Sequence, residues 1–463
     1  MAFATRALRR VLGPAAGAAT LVVAAATAVS PPALAEPAPA KEPAETSRDR
    51  APVHGLIGAI GNTPLIGEPA GPRASGPSGT AAGCAAALAA RRPGAERASH
   101  AGPLPGFSSL RATRRPCPCV ARWPRPAPPH RRTATAPRAE LHSLSAATGC
   151  RILAKAEHLN PGGSIKDRPA ARIILRAEQE GRLPAGGGGT IVEGTGGNTG
   201  VGMALVAAAR GHAAVLVMPE TISTDKMDLM RSLGARVVTR PPVPFSDPRH
   251  YVHTARRIAE ATPGAVFGDQ FESLENMRSH LEGTGPEIWR QAGGRVDGFV
   301  CAAGTGGTIA GVSHALKERS PAVRVYVIDP PGSSLAAFVD DGVPFPSDGG
   351  TITEGIGIGR VTANFASARV DGAFRGSDEE AVAMMGYLLR HEGLFVGPSA
   401  ALNVVGAVKL ARVLGRGKTV VTILCDGGER YRASVNKPGY LQERGLGAAA
   451  AVRHAEGDLR FVR

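Results

Sequence analysis

The sequence predicts an α/β fold built on mainly parallel, twisted sheets covered by helices. Three observations carry that prediction. From Leu144 onward, short apolar runs alternate with longer segments of helical period. Those runs are nearly continuous in apolar residues, as strands buried on both faces are. Several of them end in a glycine-rich turn that leads straight into a helix. The strand-like runs are "AAVLVMP" (213–219), "ARVVT" (235–239), "DGFVCAA" (297–303), "VRVYVID" (323–329) and "TVVTILCD" (419–426). Helical period is read in "TGVGMALVAAARG" (199–211), "STDKMDLMRSLG" (223–234), "HYVHTARRIAEA" (250–261), "LENMRSHLEGTGPEIWRQAGG" (274–294), "DEEAVAMMGYLLRHEG" (378–393) and "AALNVVGAVKLARVLG" (400–415). No internal repeat interrupts the alternation.

The 463 residues leave room for two or three domains. Residues 1–50 hold Arg6, Arg9 and Arg10, no acid before Glu36, and an Ala/Val-rich run ending in a small-residue "ALA". That pattern reads as a targeting segment and linker. Its arginines suit a mitochondrion or plastid, its apolar run suits a secretory-type signal, and an uncleaved membrane anchor over 11–29 is a third reading, weakened by Pro14. Residues 51–66 open the domain whose regular patterning resumes at 142. Residues 67–141 then change to Ala/Pro/Arg/Gly-rich sequence without periodicity, which cannot bury enough apolar surface to offset chain entropy and reads as a disordered insertion. Regular patterning runs from 142 to 440, and 441–463 form a tail.

Net charge is +15, and its location decides what it means. Residues 67–141 carry twelve Arg against three Glu, and 1–50 carry six basic against four acidic groups, so only +4 remains for the rest. A nucleic-acid partner is therefore not expected. The six cysteines (84, 117, 119, 150, 301, 425) lack paired C-x-x-C spacing, so neither a disulfide framework nor a structural metal is read.

The chemistry is carried by three strand- or turn-to-helix junctions. After "FVCAA" come Gly304-Thr305-Gly306-Gly307-Thr308 and an amphipathic helix. Glycines allow successive backbone N–H groups to face one ligand, and the helix N-terminus adds positive partial charge, so the loop suits a phosphate. The alternative is a plain turn. Neither this loop, "GTGGNTG" nor "GIGIGR" fits the dinucleotide pattern G-x-G-x-x-G, and no Walker lysine follows. A second junction offers Thr195, Asn198 and Thr199 on a glycine-rich turn, either as a clamp for a small carboxylate or phenolate or as a helix cap. The third is "LNPGGSIKDRPAARI", which puts Lys166 at a helix start. A surface lysine is the ordinary reading, but the positive end of the helix dipole favours the neutral amine that Schiff-base chemistry needs. A phosphate loop with an activated lysine points to pyridoxal phosphate.

"IGNTPLI" (60–66), "LNPGGSIKDR" (159–168), "GNTG" (197–200), "DQF" (269–271), "TGPEIW" (284–289), "GTGGT" (304–308), "EGIGIG" (354–359), "GPSAALN" (397–403) and "CDGGERY" (425–431) resemble, in the same order, the motifs of the cysteine synthase and cystathionine β-synthase family. The resemblance covers about residues 53–66 and 142–440. It implies two α/β domains of the tryptophan synthase β-like type, a smaller mobile one at about 190–300 and a larger one, with pyridoxal 5′-phosphate between them. It implies that Lys166 is the lysine that binds the cofactor covalently, that Asn198 meets the cofactor's ring hydroxyl, that Gly304 to Thr308 hold its phosphate and that Ser399 faces its pyridine nitrogen. Thr195, Gly196, Thr199 and Gln270 take the places that grip the substrate α-carboxylate, and Gly355 lies in the entrance loop.

The activity so implied is cysteine synthesis from O-acetylserine and sulfide. Condensation of serine with homocysteine is the alternative, as is a catalytically silent scaffold subunit. A homodimer and a serine acetyltransferase partner belong to the same implication. The chain departs from the family's usual pattern in reading T-G-G-N-T for T-S-G-N-T, Ser399-Ala400-Ala401 for S-S-G, and Asp426-Gly427-Gly428 for D-S-G. About 75 residues also separate "IGNTPLI" from "SLSAATGC", segments that stand close together in the family. This gap is read as untranslated sequence retained in the chain, or else as a surface loop. Cys117 and His130 fall after "IGNTP" and are not assigned to haem.

Overall fold

The computed structural model describes residues 55–66 and 140–463, all within the unit formed by Met1–Pro69 and Ala136–Arg463. The expectations for residues 1–50 and for the insertion up to 139, including Cys117 and His130, lie outside the described residues. Among the described residues, ten strands form two sheets: β1 (Leu65–Ile66), β2 (Arg151–Ala156), β3 (Thr190–Gly194), β4 (Ala213–Pro219), β5 (Arg236–Arg240), β6 (Ala265–Phe267), β7 (Gly298–Cys301), β8 (Arg324–Asp329), β9 (Gly372–Arg375) and β10 (Thr419–Leu424). One sheet has the order β1-β2-β10-β7-β8-β9, parallel except for β1, and the other is the parallel set β5-β4-β3-β6.

The apolar runs explain the order. Every residue of β10 is buried, as its continuous "TVVTIL" requires of a strand with neighbours on both edges and helices on both faces. The Pro398–Leu414 helix, apolar on almost every side, packs on β10 and β7 and closes one core with Val404, Val405 and Val408. A second core, with Phe299, Val325, Val327 and Ile423, fills the opposite face of the same sheet. Ile191, Leu216 and Met203 pack against the Asp167–Gln179 helix residues Ile173 and Ile174 in a third.

The four-stranded sheet draws all its strands from Thr190 to Phe267, and the larger one takes strands from both sides of that stretch. The long helix read over 274–294 is in fact three pieces: α-helix Glu275–Ser279, a π-turn His280–Thr284 and α-helix Gly285–Gln291. Pro286 has no N–H to donate and its ring crowds the preceding turn, so the backbone widens just before it.

The parallel strands place the chemistry. Ligands of such sheets sit beyond the C-terminal strand ends. Thr195 follows β3, Gly304 follows β7 by three residues, and Cys425 and Asp426 follow β10. Among the described residues, no helix is long and apolar enough to cross a membrane.

Candidate active site

Lys166 directly precedes the Asp167–Gln179 helix, with its backbone N–H donating to Ser164 Oγ (3.2 Å) and its carbonyl accepting from Ala170 N (3.2 Å). Ser164 bridges to Asp426, and Ile165 N donates to Cys425 O (2.9 Å), so the lysine turn is sewn to the end of β10. Lys166 lines a cavity with Gly304, Thr305, Gly306 and Thr308, closed by Ile356 and Cys425. The two most informative junctions of the sequence thus meet in one cavity.

The three glycines of the loop are required because its backbone packs directly against the surrounding scaffold. Gly306 has φ +82°, a left-handed conformation, and a Cβ on it would press to 2.5 Å from Phe365. A Cβ on Gly304 would collide with the carbonyl of Gly355, and one on Gly307 with the Asn276 amide. The helix that begins at Gly307 runs for 13 residues, and the N–H groups of its first turn have no intrahelical partner. An amine on one wall and a ring of N–H donors on the other suit a phosphorylated aldehyde cofactor. His280 stands behind the loop, its Nε2 at 3.3 Å from Thr308 Oγ1 and its Nδ1 at 2.8 Å from Thr284 Oγ1. Burial pushes its pKa down to about 3, so it acts there as a neutral hydrogen-bonding group.

Asn198 opens the Asn198–Arg210 helix, and its amide is held from both ends: Nδ2 donates to Asp426 Oδ2 (2.6 Å) and Oδ1 accepts from Arg430 (2.9 Å). Asp426 also accepts from Tyr431 Oη (2.6 Å), and burial raises its pKa despite these bonds. Ser399, buried in the first turn of the Pro398–Leu414 helix, donates to Cys425 Sγ. Asn403 donates to the same sulfur at 3.2 Å, and burial pushes the Cys425 thiol up to about 12. Ser399 therefore reaches the Lys166 cavity through that neutral thiol.

The residues expected at the substrate carboxylate form a chain of bonds. Thr195 Oγ1 accepts from Gly197 N (3.2 Å), and Thr199 Oγ1 donates to Gln270 Oε1 (2.6 Å). Asn276 donates to both Gln270 O (2.9 Å) and Thr305 Oγ1 (3.0 Å), which joins this group to the phosphate loop. A Cβ on Gly196 would lie 2.8 Å from Ile222 Cδ1, so Ile222 fills the space of the serine usual at that position. Gly355 has φ +80° and lies against Gly304 at the cavity's edge. Sequence reasoning missed Asn276, His280, Cys425 and Arg430 as members of the site. The signal was present for some of them, since Cys425 and Arg430 stand in "CDGGERY". Among the described residues, no group of His, Cys, Asp and Glu side chains is arranged to hold a metal ion.

A family model described as pyridoxal-phosphate dependent enzyme matches residues 131–426. A cysteine synthase of Dictyostelium discoideum is 46% identical over 316 residues, covering 66% of this chain and 83% of the relative. Cysteine synthase 1 of Neurospora crassa is 48% identical over 314 residues, covering 67% and 83%. Among solved structures, the O-acetylserine dependent cystathionine β-synthase of Helicobacter pylori is similar with a TM-score of 0.56 and 36% identity, over 62% of this chain and 90% of that one.

Proposed function

The chain belongs to the pyridoxal-phosphate dependent enzymes and works as a cysteine synthase, and we propose that it replaces the acetoxy group of O-acetyl-L-serine by sulfide, giving L-cysteine and acetate. The observation that carries this reading is the cavity shared by Lys166 and the Gly304 to Thr308 loop. When bound, pyridoxal phosphate supplies an electron sink that acidifies the substrate's α-carbon and lets the β-substituent leave.

The chain's own residues do the rest. The loop N–H groups hold the phosphate against the helix N-terminus, as that end of a helix favours an anion. Lys166 Nζ anchors the cofactor, then takes the proton from the substrate α-carbon and later returns it. Asn198, itself fixed by Asp426 and Arg430, orients the ring edge. Ser399 faces the ring nitrogen with a neutral hydroxyl. Thr195, Gly196, Thr199 and Gln270 bind the α-carboxylate. A homodimer, an association with serine acetyltransferase and import directed by residues 1–50 belong to the same proposal.

The Helicobacter relative supports a second reading, in which homocysteine is the acceptor. Purified enzyme with cofactor is assayed with O-acetylserine and sulfide, and with serine or O-acetylserine and homocysteine. Cysteine formed at the higher kcat/KM is the expected result, and faster cystathionine formation overturns it. Lys166→Ala is expected to retain its fold and lose turnover by at least about a thousandfold, the combined scale of losing covalent and acid–base catalysis. Wild-type turnover in that variant would remove Lys166 from its role.

A further inference from the structure

Glu193, at the buried end of β3, has no part in the chemistry described so far. Its side chain is 1% exposed, and among the described residues no Lys, Arg or His pairs with it. A carboxyl in that setting is expensive to bury, so what it touches matters. Its Oε1 accepts from Gln270 Nε2 at 3.1 Å, and the same nitrogen donates to Gly194 O at 3.3 Å. Gln270 Oε1 is thereby turned toward Thr199, whose hydroxyl it accepts at 2.6 Å. Gly268 makes the space for the carboxyl: a Cβ there would collide with Glu193 Oε2.

A primary amide can present either end to a neighbour, and nothing about Gln270 alone decides which. Thr199 can both donate and accept, so it does not decide either. Gly194 O and Glu193 Oε1 are two acceptors side by side, and only the Nε2 end of the amide satisfies them. We propose that Glu193 is a positioning residue for substrate binding: it holds the Gln270 amide with Oε1 on the Thr199 hydroxyl, and so fixes the first turn of the Asn198–Arg210 helix, whose free backbone N–H groups meet the α-carboxylate already oriented. The proposal rests on the reading of Thr199 and its neighbours as carboxylate-binding residues, with Gln270 acting on them.

The test compares Glu193→Gln, which keeps an acceptor at this place, with Glu193→Met, which keeps the length and removes the acceptor. The readouts are KM for O-acetylserine, kcat, and the dissociation constant for L-alanine, which has the α-carboxylate and no leaving group. Expected for Glu193→Met is a rise of about tenfold in KM and in the L-alanine constant with kcat within about twofold, the scale of one buried hydrogen bond. Glu193→Gln stays within about threefold of wild type. In a Gln270→Ala background Glu193→Met adds nothing further, because the group it positions is gone.

Unchanged L-alanine affinity in Glu193→Met overturns the proposal, as does an equal loss in the Gln270→Ala background. If Glu193→Met does not fold, Glu193→Asp, which withdraws the carboxyl by one methylene, takes its place in the same comparison. Failure of the underlying functional reading looks different, since wild type itself then binds neither O-acetylserine nor L-alanine.

Discussion

Arg168 stands two residues after the anchor lysine and points the other way, into a buried cluster of charges. Its guanidinium pairs with Glu157 (2.7 Å) and with Glu287 (2.7 Å), and Lys155 Nζ lies 2.7 Å from the same Glu287 carboxylate. Thr63 and Asn62 of "IGNTP" add hydrogen bonds to Glu157 (2.6 Å) and Glu287 (3.0 Å). The "IGNTP" and "KDR" motifs therefore belong to one structural unit that fixes the start of the Lys166 helix. Removing one partner leaves the others charged and buried, so Arg168→Leu is expected to lower stability by ~3–5 kcal/mol, read as a fall in denaturant midpoint. The cluster was invisible in the sequence because charged residues are ordinarily at the surface and Arg168 and Glu287 are 119 positions apart. Lys166 and the glycines were legible for the opposite reason, since their chemistry depends on neighbours in the chain.

Glu193 leads to a second expectation at this scale. Burial raises its pKa from 4.5 to about 8, so the folded protein holds the proton to higher pH than the unfolded chain does. That contribution to stability is full below pH 4.5 and is lost as pH rises through about 8. Asp269, which is paired with Arg256, and the Tyr251 hydroxyl face the same carboxyl, and Asp269 adds to the upward shift. Melting temperatures measured from pH ~5 to pH ~8 should fall less steeply in Glu193→Gln than in wild type. Parallel curves would show that Glu193 is ionised throughout.

Among the elements, the strands with continuous apolar runs, β4, β7, β8 and β10, were legible because burial on both faces leaves a plain compositional mark, whereas β5, a half-buried edge strand, was legible from its β-branched residues. The two-residue β1 and three-residue β6 are too short to show any period, and β9 at the sheet edge is only half-buried. The π-turn at His280–Thr284 escaped notice because the apolar spacing continues through it. It is the element that brings His280 under the phosphate loop. Helix ends carry clearer local signals. Ser377 caps the Asp378–His391 helix in a complete capping box, accepting from Glu380 N while Glu380 accepts from Ser377 N. Ser377→Ala is expected to cost ~1 kcal/mol without change in KM, measured by denaturation and by steady-state kinetics.

For the whole molecule, the telling feature is the pairing on β2. Leu65 pairs with Lys155, Ile66 with Ala154, and Glu140 with Leu153, all antiparallel. Glu140 thus occupies the ladder position that the residue after Ile66 would take in an uninterrupted strand. Neighbouring positions along a strand are ~3.4 Å apart, so the chain leaves the sheet at Ile66 and re-enters it one step further on. The segment between them, 67–139, is the same Arg/Pro/Ala-rich stretch that breaks the resemblance to the family. A strand that resumes in register needs no linker, and joining Ile66 directly to Glu140 restores a continuous edge strand without moving either end. A chain lacking 67–139 is therefore expected to keep its melting temperature within about 2 °C, its bound cofactor and its kcat/KM for O-acetylserine, since no described hydrogen bond or core contact is removed. Loss of folding or activity in that deletion would show that the segment is an integral part of the enzyme. The native protein offers an independent check: peptides from 75–135 recovered in amounts equal to those from 142–440 would mean that the segment is translated and retained, whatever its contribution to the fold.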